Sequence, residues 1–223
     1  GTSKVTLGNP DLDLETSTNL DFSLEYKTKK TLLSATLFHK EVKNVIEEVS
    51  TSNYLYNGVT YTTGVTYENS GDGWTRGLEL EEKYKLNKNI EIWSNQSFLD
   101  SQLTQKNGYE RPFKNQPKYT ANLGIDLSLN DNKTILSAYG KYIGEIKNLT
   151  VTSTKTTTEV EKEKTSLSLK ATQKLFKASE IYLEGENLLA PKKEKIKSEN
   201  GVITETSVES SESIYTLGIT VRF

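Results

Sequence analysis

The sequence predicts an all-β fold, an antiparallel up-and-down meander of about nine strands. Two observations carry this reading. Apolar and polar residues alternate with period two through most of the chain, which places successive side chains on opposite faces of a sheet. Short turns then alternate with long polar connections, so the two ends of the meander differ.

The strands follow in order. TNLDFSLEY sets Leu20, Phe22, Leu24 and Tyr26 against Asp21, Ser23 and Glu25. TLLSATLF follows the turn KTKK, with Leu33, Ala35 and Leu37 on one side. RGLELEEKYKL sets Leu78, Leu80, Tyr84 and Leu86 against Glu79, Glu81, Lys83 and Lys85, and Glu82 interrupts the apolar side. NIEIWSNQSF returns after Asn87-Lys88. YTANLGIDLSL is the cleanest, with Tyr119, Ala121, Leu123, Ile125, Leu127 and Leu129 on one face. KTILSAYGKYIG pairs with it across Asn130-Asp131-Asn132. TSLSLKATQKLF and SEIYLEGENLL form a pair joined at Lys177-Ala178. SIYTLGITVRF closes the chain, alternating Tyr215, Leu217, Ile219, Val221 and Phe223 with Thr216, Gly218, Thr220 and Arg222.

Periodicity serves a soluble sandwich and a lipid-facing barrel equally. Three features favour the barrel. The connections at 47–74, 102–117, 147–163 and 191–212 are long and polar, whereas those near Thr28, Lys88, Asp131 and Lys177 are short. That asymmetry is the mark of outer-membrane barrels. The strands reach about 10 residues, the length a tilted strand needs to cross a bilayer. Aromatics lie near strand ends, at Tyr26, Tyr84, Tyr119, Tyr142 and Phe223, where interfacial girdles form.

Composition narrows the chemistry. Of 223 residues, 34% are hydrophobic and 26% charged, which is lean for a conventional core, yet 12 Tyr, 6 Phe and 2 Trp argue against disorder. Twenty-eight basic residues against 30 acidic give no case for nucleic acid. There is no cysteine, so disulfide and thiolate chemistry are excluded. The single histidine, His39, leaves no basis for a multi-histidine metal site, and its phase with Leu33, Ala35 and Leu37 places it on the lipid side near the interface rather than on a haem iron. DLDLE at 11–15 lacks the glycine turn and distal glutamate of a calcium loop. No phosphate-cradling glycine loop, zinc motif or nucleophile elbow is present, so neither an enzyme nor a cofactor is expected. The chain does not begin with Met, which suggests a fragment or a processed piece.

Several segments resemble, in the correct order, the β-barrel of TonB-dependent outer-membrane receptors. GNPDLDLETSTNLDFSLEYK, SATLFHKEVKNVIEEV, WTRGLELEEKYKLNKNIEI, QPKYTANLGIDLSL, IYLEGENLLAPK and IYTLGITVRF carry the likeness, which spans nearly the whole chain. The resemblance implies residues 1–223 to be the C-terminal part of a larger 22-stranded barrel with a plugged lumen, the plug domain and earlier strands lying outside this sequence. It implies uptake of a scarce nutrient, most simply a ferric siderophore, energised through TonB acting on the plug. The alternatives are a plugless porin or adhesin-like barrel, and a soluble β-sheet binding protein.

The resemblance also implies partners and residues. Short turns would face the periplasm and long connections the outside. Tyr215, Leu217, Ile219, Val221 and Phe223 would be the signal read by the barrel-assembly machinery. Aromatics of the external connections, Tyr54, Tyr56, Tyr61 and Trp74, would contact a metal-chelate ligand or, equally, belong to a β-hairpin extending above the membrane; Tyr109 is a second candidate contact, with Arg111 suited to an anionic chelate. Glu25, Glu79, Glu81, Lys83, Lys85, Asp126, Glu184 and Glu186 would wet the lumen. The charge runs VEKEK (160–164) and KKEKIK (192–197) read as solvated connections, whose lysines could meet lipopolysaccharide phosphates.

Overall fold

A computed structural model describes residues 4–151, 155–176 and 179–221. The strands are β1 (Lys4–Thr6), β2 (Thr16–Lys27), β3 (Thr31–Tyr56), β4 (Val59–Lys85), β5 (Ile90–Gln105), β6 (Glu110–Arg111), β7 (Tyr119–Leu129) and β8 (Thr134–Ile143). They continue as β9 (Ile146–Val151), β10 (Thr156–Glu161), β11 (Lys164–Phe176), β12 (Ser179–Glu186), β13 (Lys193–Glu199), β14 (Val202–Glu209) and β15 (Ile214–Val221).

The main sheet runs β15-β12-β11-β8-β7-β5-β4-β3-β2, an uninterrupted meander of the nine sequence-predicted strands. Among the described residues this path does not close on itself, and β2 and β15 are its outer strands. It is consistent with part of a larger barrel. Turn chemistry fixes the register at the short end. Thr28 Oγ1 accepts the Lys30 and Thr31 N–H groups at 3.2 and 2.9 Å. Asn87 Oδ1 accepts those of Asn89 and Ile90 at 2.8 and 3.0 Å. Asn130, Asp131 and Asn132 all take positive φ, which these short polar side chains tolerate.

Two compact units form. One comprises the described residues of 1–20, 39–76 and 101–112. It has a small core of Val42, Val45, Val65 and Leu103, the last fully buried. The other comprises 21–38, 77–100 and the described residues of 113–223.

In the second unit the register sorts the two faces row by row. Ile90, Leu127, Leu136, Ala171, Leu183 and Leu217 lie side by side across six strands. Ile92, Ile125, Ala138, Leu169, Gly185 and Tyr215 form the next row on the same face. These apolar side chains point outward: Ile125 is 44% exposed, Leu183 57% and Leu217 71%. The intervening row is Glu91, Asp126, Ser137, Lys170, Glu184 and Thr216, on the opposite face. There Trp93 Nε1 donates to Asp126 Oδ2 at 3.0 Å and Ser137 donates to Oδ1. Lys170 Nζ donates to Glu184 Oε2 at 3.0 Å, and the Tyr139 hydroxyl to Oε1 at 3.3 Å. The polar face is thus bonded together while the apolar face is bare. Sheets in water show the reverse, and an exposed apolar band of this extent marks a lipid-facing surface.

Aromatic residues bound the band. Phe98, Tyr119 and Tyr142 stack on the apolar face at the long-connection end, with centroids 4.7 and 5.8 Å apart. Tyr26 and Tyr84 lie exposed near the short turns. Strand β7 has 11 residues. At about 3.3 Å per residue and a tilt near 45° it spans about 25 Å of membrane thickness.

The structure gives the long connections secondary structure, and for residues 47–74 it takes the β-hairpin reading of the two the sequence left open. Residues 47–74 are not a loop: β3 and β4 run 26 and 27 residues and meet at the tight turn Asn57-Gly58, both with positive φ. Strands this long exceed the 9–11 residues a bilayer accommodates, so a large part of each lies outside the hydrocarbon. Strands β9 and β10 of the third connection and β13 and β14 of the fourth form a separate four-stranded sheet, β14-β13-β10-β9. Their charge runs interlock: Glu159 lies opposite Lys197, Val160 opposite Ile196 and Glu161 opposite Lys195. Lys193 pairs with Glu161 at 3.5 Å, Lys195 with Glu209 at 3.9 Å and Lys197 with Glu159 at 3.9 Å. Those lysines therefore sit on paired strands beside glutamates rather than in unstructured connections.

Candidate functional site

The first unit contains all six sequence-predicted ligand residues. Its frame is the β3–β4 hairpin, onto which the segment 9–15 is stapled. Asn69, only 6% exposed, is the hub. Its Oδ1 accepts the Asp13 N–H at 2.9 Å, and its Nδ2 donates to the carbonyls of Asp13 and Asn44 at 3.0 and 2.9 Å. Glu15 Oε2 accepts the Ile46 N–H at 2.9 Å, and Asn9 Nδ2 donates to the Tyr67 carbonyl at 2.8 Å. Strand β1 adds in parallel to Thr63–Val65 of β4. A hairpin with polar residues on both faces gains a fixed shape this way, because the buried Asn69 and the carbonyls and N–H groups around it answer one another.

Near the tip, Tyr54 is half-buried with its ring lying over Gly64, where any Cβ would meet Cγ at 2.2 Å. Tyr56 is 38% exposed and Tyr61 half-buried. Tyr109, also half-buried, immediately precedes β6, which pairs with Leu103–Thr104 of β5. Tyr54, Tyr56 and Tyr61 thus share one hairpin, and Tyr109 belongs to the same unit.

Arg111 is placed differently from the sequence reading, whereas Trp74 lines a cavity. Arg111 is 4% exposed, with Nη2 2.5 Å from both carboxylate oxygens of Glu47 and Nη1 donating to the Pro112 carbonyl at 3.2 Å. Its charge is spent tying β6 to β3, so it is not a surface cation awaiting an anionic chelate. Trp74 lies with the Arg76 guanidinium 4.3 Å from its ring centroid, at the wall of a cavity of about 630 Å³. Asn69, Glu15 and Glu47 were missed by sequence reasoning, since an asparagine or glutamate among polar neighbours carries no periodic signal.

His39 stands 3.5 Å from Glu41 and is partly exposed. Among the described residues no group of His, Asp and Glu is arranged to hold a metal ion. In the four-stranded sheet, burial pushes the Glu161 carboxyl up, but Lys164 at 3.2 Å and Lys193 at 3.5 Å outweigh it and hold the group below the ordinary carboxylate value.

The closing strand β15 lies antiparallel to β12, with Ile219 opposite Ile181 and Leu217 opposite Leu183. Tyr215, Leu217, Ile219 and Val221 are 73, 71, 67 and 52% exposed, all on the apolar face. Phe223, the last residue of the expected assembly signal, lies outside the described residues.

Residues 1–188 match the sequence profile of the family described as TonB dependent receptor-like, beta-barrel. The chain belongs to this family. It is an outer-membrane β-barrel chain, as the bare apolar face requires. An iron-regulated outer membrane virulence protein of Vibrio cholerae is 30% identical over 128 residues, covering 56% of this chain and 20% of that protein. Among solved structures, the chain superimposes on a variant ferric enterobactin receptor, PfeA, of Pseudomonas aeruginosa in complex with enterobactin. There the TM-score is 0.67 at 20% identity, covering 97% of this chain and 32% of that one. The siderophore receptor PirA from Acinetobacter baumannii gives 0.67 at 19%, covering 98% and 33%. The copper transporter OprC gives 0.69 at 15%, covering 96% and 33%. These likenesses establish the fold. The chain spans about a fifth of the length of the curated relatives it matches and a third of these structures.

Proposed function

We propose that this chain is the C-terminal portion of a 22-stranded TonB-dependent receptor that takes up a ferric siderophore. Three things support the larger barrel: the family, the unpaired outer edges of β2 and β15, and the one-third coverage of the related structures. Unpaired strand edges are costly in lipid, so further strands complete the ring. The plug and its contact with TonB belong to the rest of the receptor.

The observation that carries the ligand reading is the group of tyrosines held on a fixed hairpin in the first unit. Tyrosine presents a rigid ring and a hydroxyl at low entropic cost, which suits an amphipathic metal chelate. Tyr54, Tyr56, Tyr61 and Tyr109 supply contact, and Arg111 acts through its grip on β6. The likeness to a ferric enterobactin receptor and to the siderophore receptor PirA supports iron chelates as the class, and the likeness to a copper transporter supports a reading in which the cargo is another scarce metal. No covalent bond is made or broken, so transport is the whole activity. The bare edge of β15 ends on the apolar alternation expected of an assembly signal. The test is the intact receptor with Tyr54, Tyr56 and Tyr61 replaced by Ala, assayed for ferric-siderophore affinity. A loss of tenfold or more is expected; wild-type affinity removes these residues from the site.

A further inference from the structure

The stretch that carries Tyr54, Tyr56 and Tyr61 has no charge of its own. Residues 49–67 contain no Asp, Glu, Lys, Arg or His. The polar atoms beside the tyrosines are hydroxyls and amides, such as those of Asn53, Thr60 and Thr62. Apolar surface is open there as well: Leu55 is 67% exposed and Val59 44%. Among the described residues the hydroxyls of Tyr54, Tyr56 and Tyr61 make no hydrogen bond within the protein, so each can donate to a ligand or accept from it.

The cations of the same unit are placed elsewhere. Arg111 is closed onto Glu47, and the Arg76 guanidinium lies on Trp74. Lys43 and Lys106 line the Trp74 cavity together with the carboxylates Glu41 and Asp72. Lys40 lies well down β3 from the tip. Lys4, whose backbone pairs with Thr63, is a single positive charge beside the stretch. Against it stand Glu48 and Glu68, exposed at either end of the stretch, and among the described residues neither carboxylate has a hydrogen bond or ion pair. The described residues of this unit carry nine acidic groups and six basic ones, a net charge of −3 with His39 neutral.

These placements select by charge. A chelate with several negative charges would approach this surface against like charge and would give up hydration that nothing replaces. An uncharged chelate gives up little, and the tyrosine rings and hydroxyls meet its apolar body and its carbonyl oxygens. Fe(III) held by three catecholate groups carries three negative charges, whereas Fe(III) held by three hydroxamate groups is neutral. Building on the ferric-chelate reading above, on which this step rests, we propose that the hairpin recognises an uncharged ferric chelate of the trihydroxamate class rather than a polyanionic triscatecholate.

The test uses the intact receptor in detergent and three iron(III) complexes. Ferrichrome and N-acetylated ferrioxamine B are uncharged trihydroxamates, and ferric enterobactin is a triscatecholate trianion. Binding is measured by titration calorimetry for the wild type and for Tyr54→Ala/Tyr56→Ala/Tyr61→Ala. For each complex, the ratio of the two affinities isolates the share of binding that the hairpin supplies. That ratio is expected to be about tenfold or more for an uncharged complex and under about twofold for ferric enterobactin. Thr60→Lys/Thr62→Lys, at exposed positions near the tip, is expected to tighten ferric enterobactin about tenfold and to leave the uncharged complexes unchanged. A ratio for ferric enterobactin as large as that for the uncharged complexes overturns the preference for an uncharged ligand and leaves the chelate reading standing. Failure of both uncharged complexes to bind where ferric enterobactin saturates does the same. Ratios under about twofold for all three complexes overturn the chelate reading and this proposal with it. Retention of the heat-modifiable folded band on gels confirms that each variant is folded.

Discussion

Gly124 sits in mid-strand on the polar face of β7, directly opposite Trp93 on β5. A Cβ built on it would lie 2.3 Å from both Cε2 and Cζ2 of the indole. Ordinary carbon contact needs about 3.5–4.0 Å, so Gly124→Ala forces the ring aside by more than 1 Å. The displaced ring then loses its 3.0 Å hydrogen bond to Asp126 Oδ2. Overpacking costs about 1–3 kcal/mol. A hydrogen bond to a charged acceptor is worth about 1.5–3 kcal/mol, of which Asp126 recovers part through Ser137. The expected loss is therefore about 2–4 kcal/mol. The assay is reversible urea unfolding of the intact barrel in lipid vesicles, followed by tryptophan fluorescence. A Trp93→Ala background isolates the clash: there Gly124→Ala is expected to cost under about 0.5 kcal/mol, so the two changes couple strongly. Additive costs in the double variant, or a Gly124→Ala barrel as stable as wild type, would refute the idea that the indole occupies the space above this glycine.

Three further outcomes follow from other parts of the structure. Glu47→Ala leaves Arg111 buried without its carboxylate, a loss of about 3–5 kcal/mol, and hydrogen exchange over Glu110–Arg111 is expected to speed up accordingly. The folded-state value of Glu161 is depressed, so its stabilising contribution is present above the unfolded carboxylate value of 4.5 and is lost as pH falls through the folded value; proteolysis of the β9–β10–β13–β14 sheet should rise in that acid window, and Glu161→Gln should flatten the response. Leu123→Arg on the bare face should cost about 2–4 kcal/mol in vesicles, whereas Asn122→Arg on the opposite face should cost under about 1 kcal/mol.

The nine barrel strands were legible because lipid enforces a strict alternation on every strand that crosses it. Tyr119 to Leu129 shows it without interruption, and the structure bounds β7 at those residues. The same logic made β15 legible down to Val221. Outside the membrane that constraint lapses. The far half of the β3–β4 hairpin has polar residues on both faces, so TSNYLYNGVTYTTG read equally as a connection and as a hairpin although Asn57-Gly58 is a strong hairpin signal. The four-stranded sheet was hidden for a related reason. Its pairing of Glu159 with Lys197 and Glu161 with Lys195 joins segments more than thirty residues apart, and charge alternation in each run alone looks like solvation. Arg111 was visible as a cation, but its partner Glu47 lies in a distant strand. Among ligand candidates, residue type was readable, while burial and pairing came only from the tertiary structure.

The most direct test of the central claim, that the bare face meets lipid and the bonded face meets water, uses single-cysteine spin labels. The sequence contains no cysteine, so labels can be introduced one at a time once any others in the intact receptor are replaced. Labels at 122 through 127, and at 215 through 220, are placed in the receptor reconstituted in vesicles. Lipid-soluble oxygen and a water-soluble nickel complex are then compared as relaxing agents. The account predicts alternation: oxygen dominates at 123, 125, 127, 215, 217 and 219, and the nickel complex at 122, 126, 216 and 220. Equal aqueous access at both sets would contradict it and return the chain to a sheet protein in water.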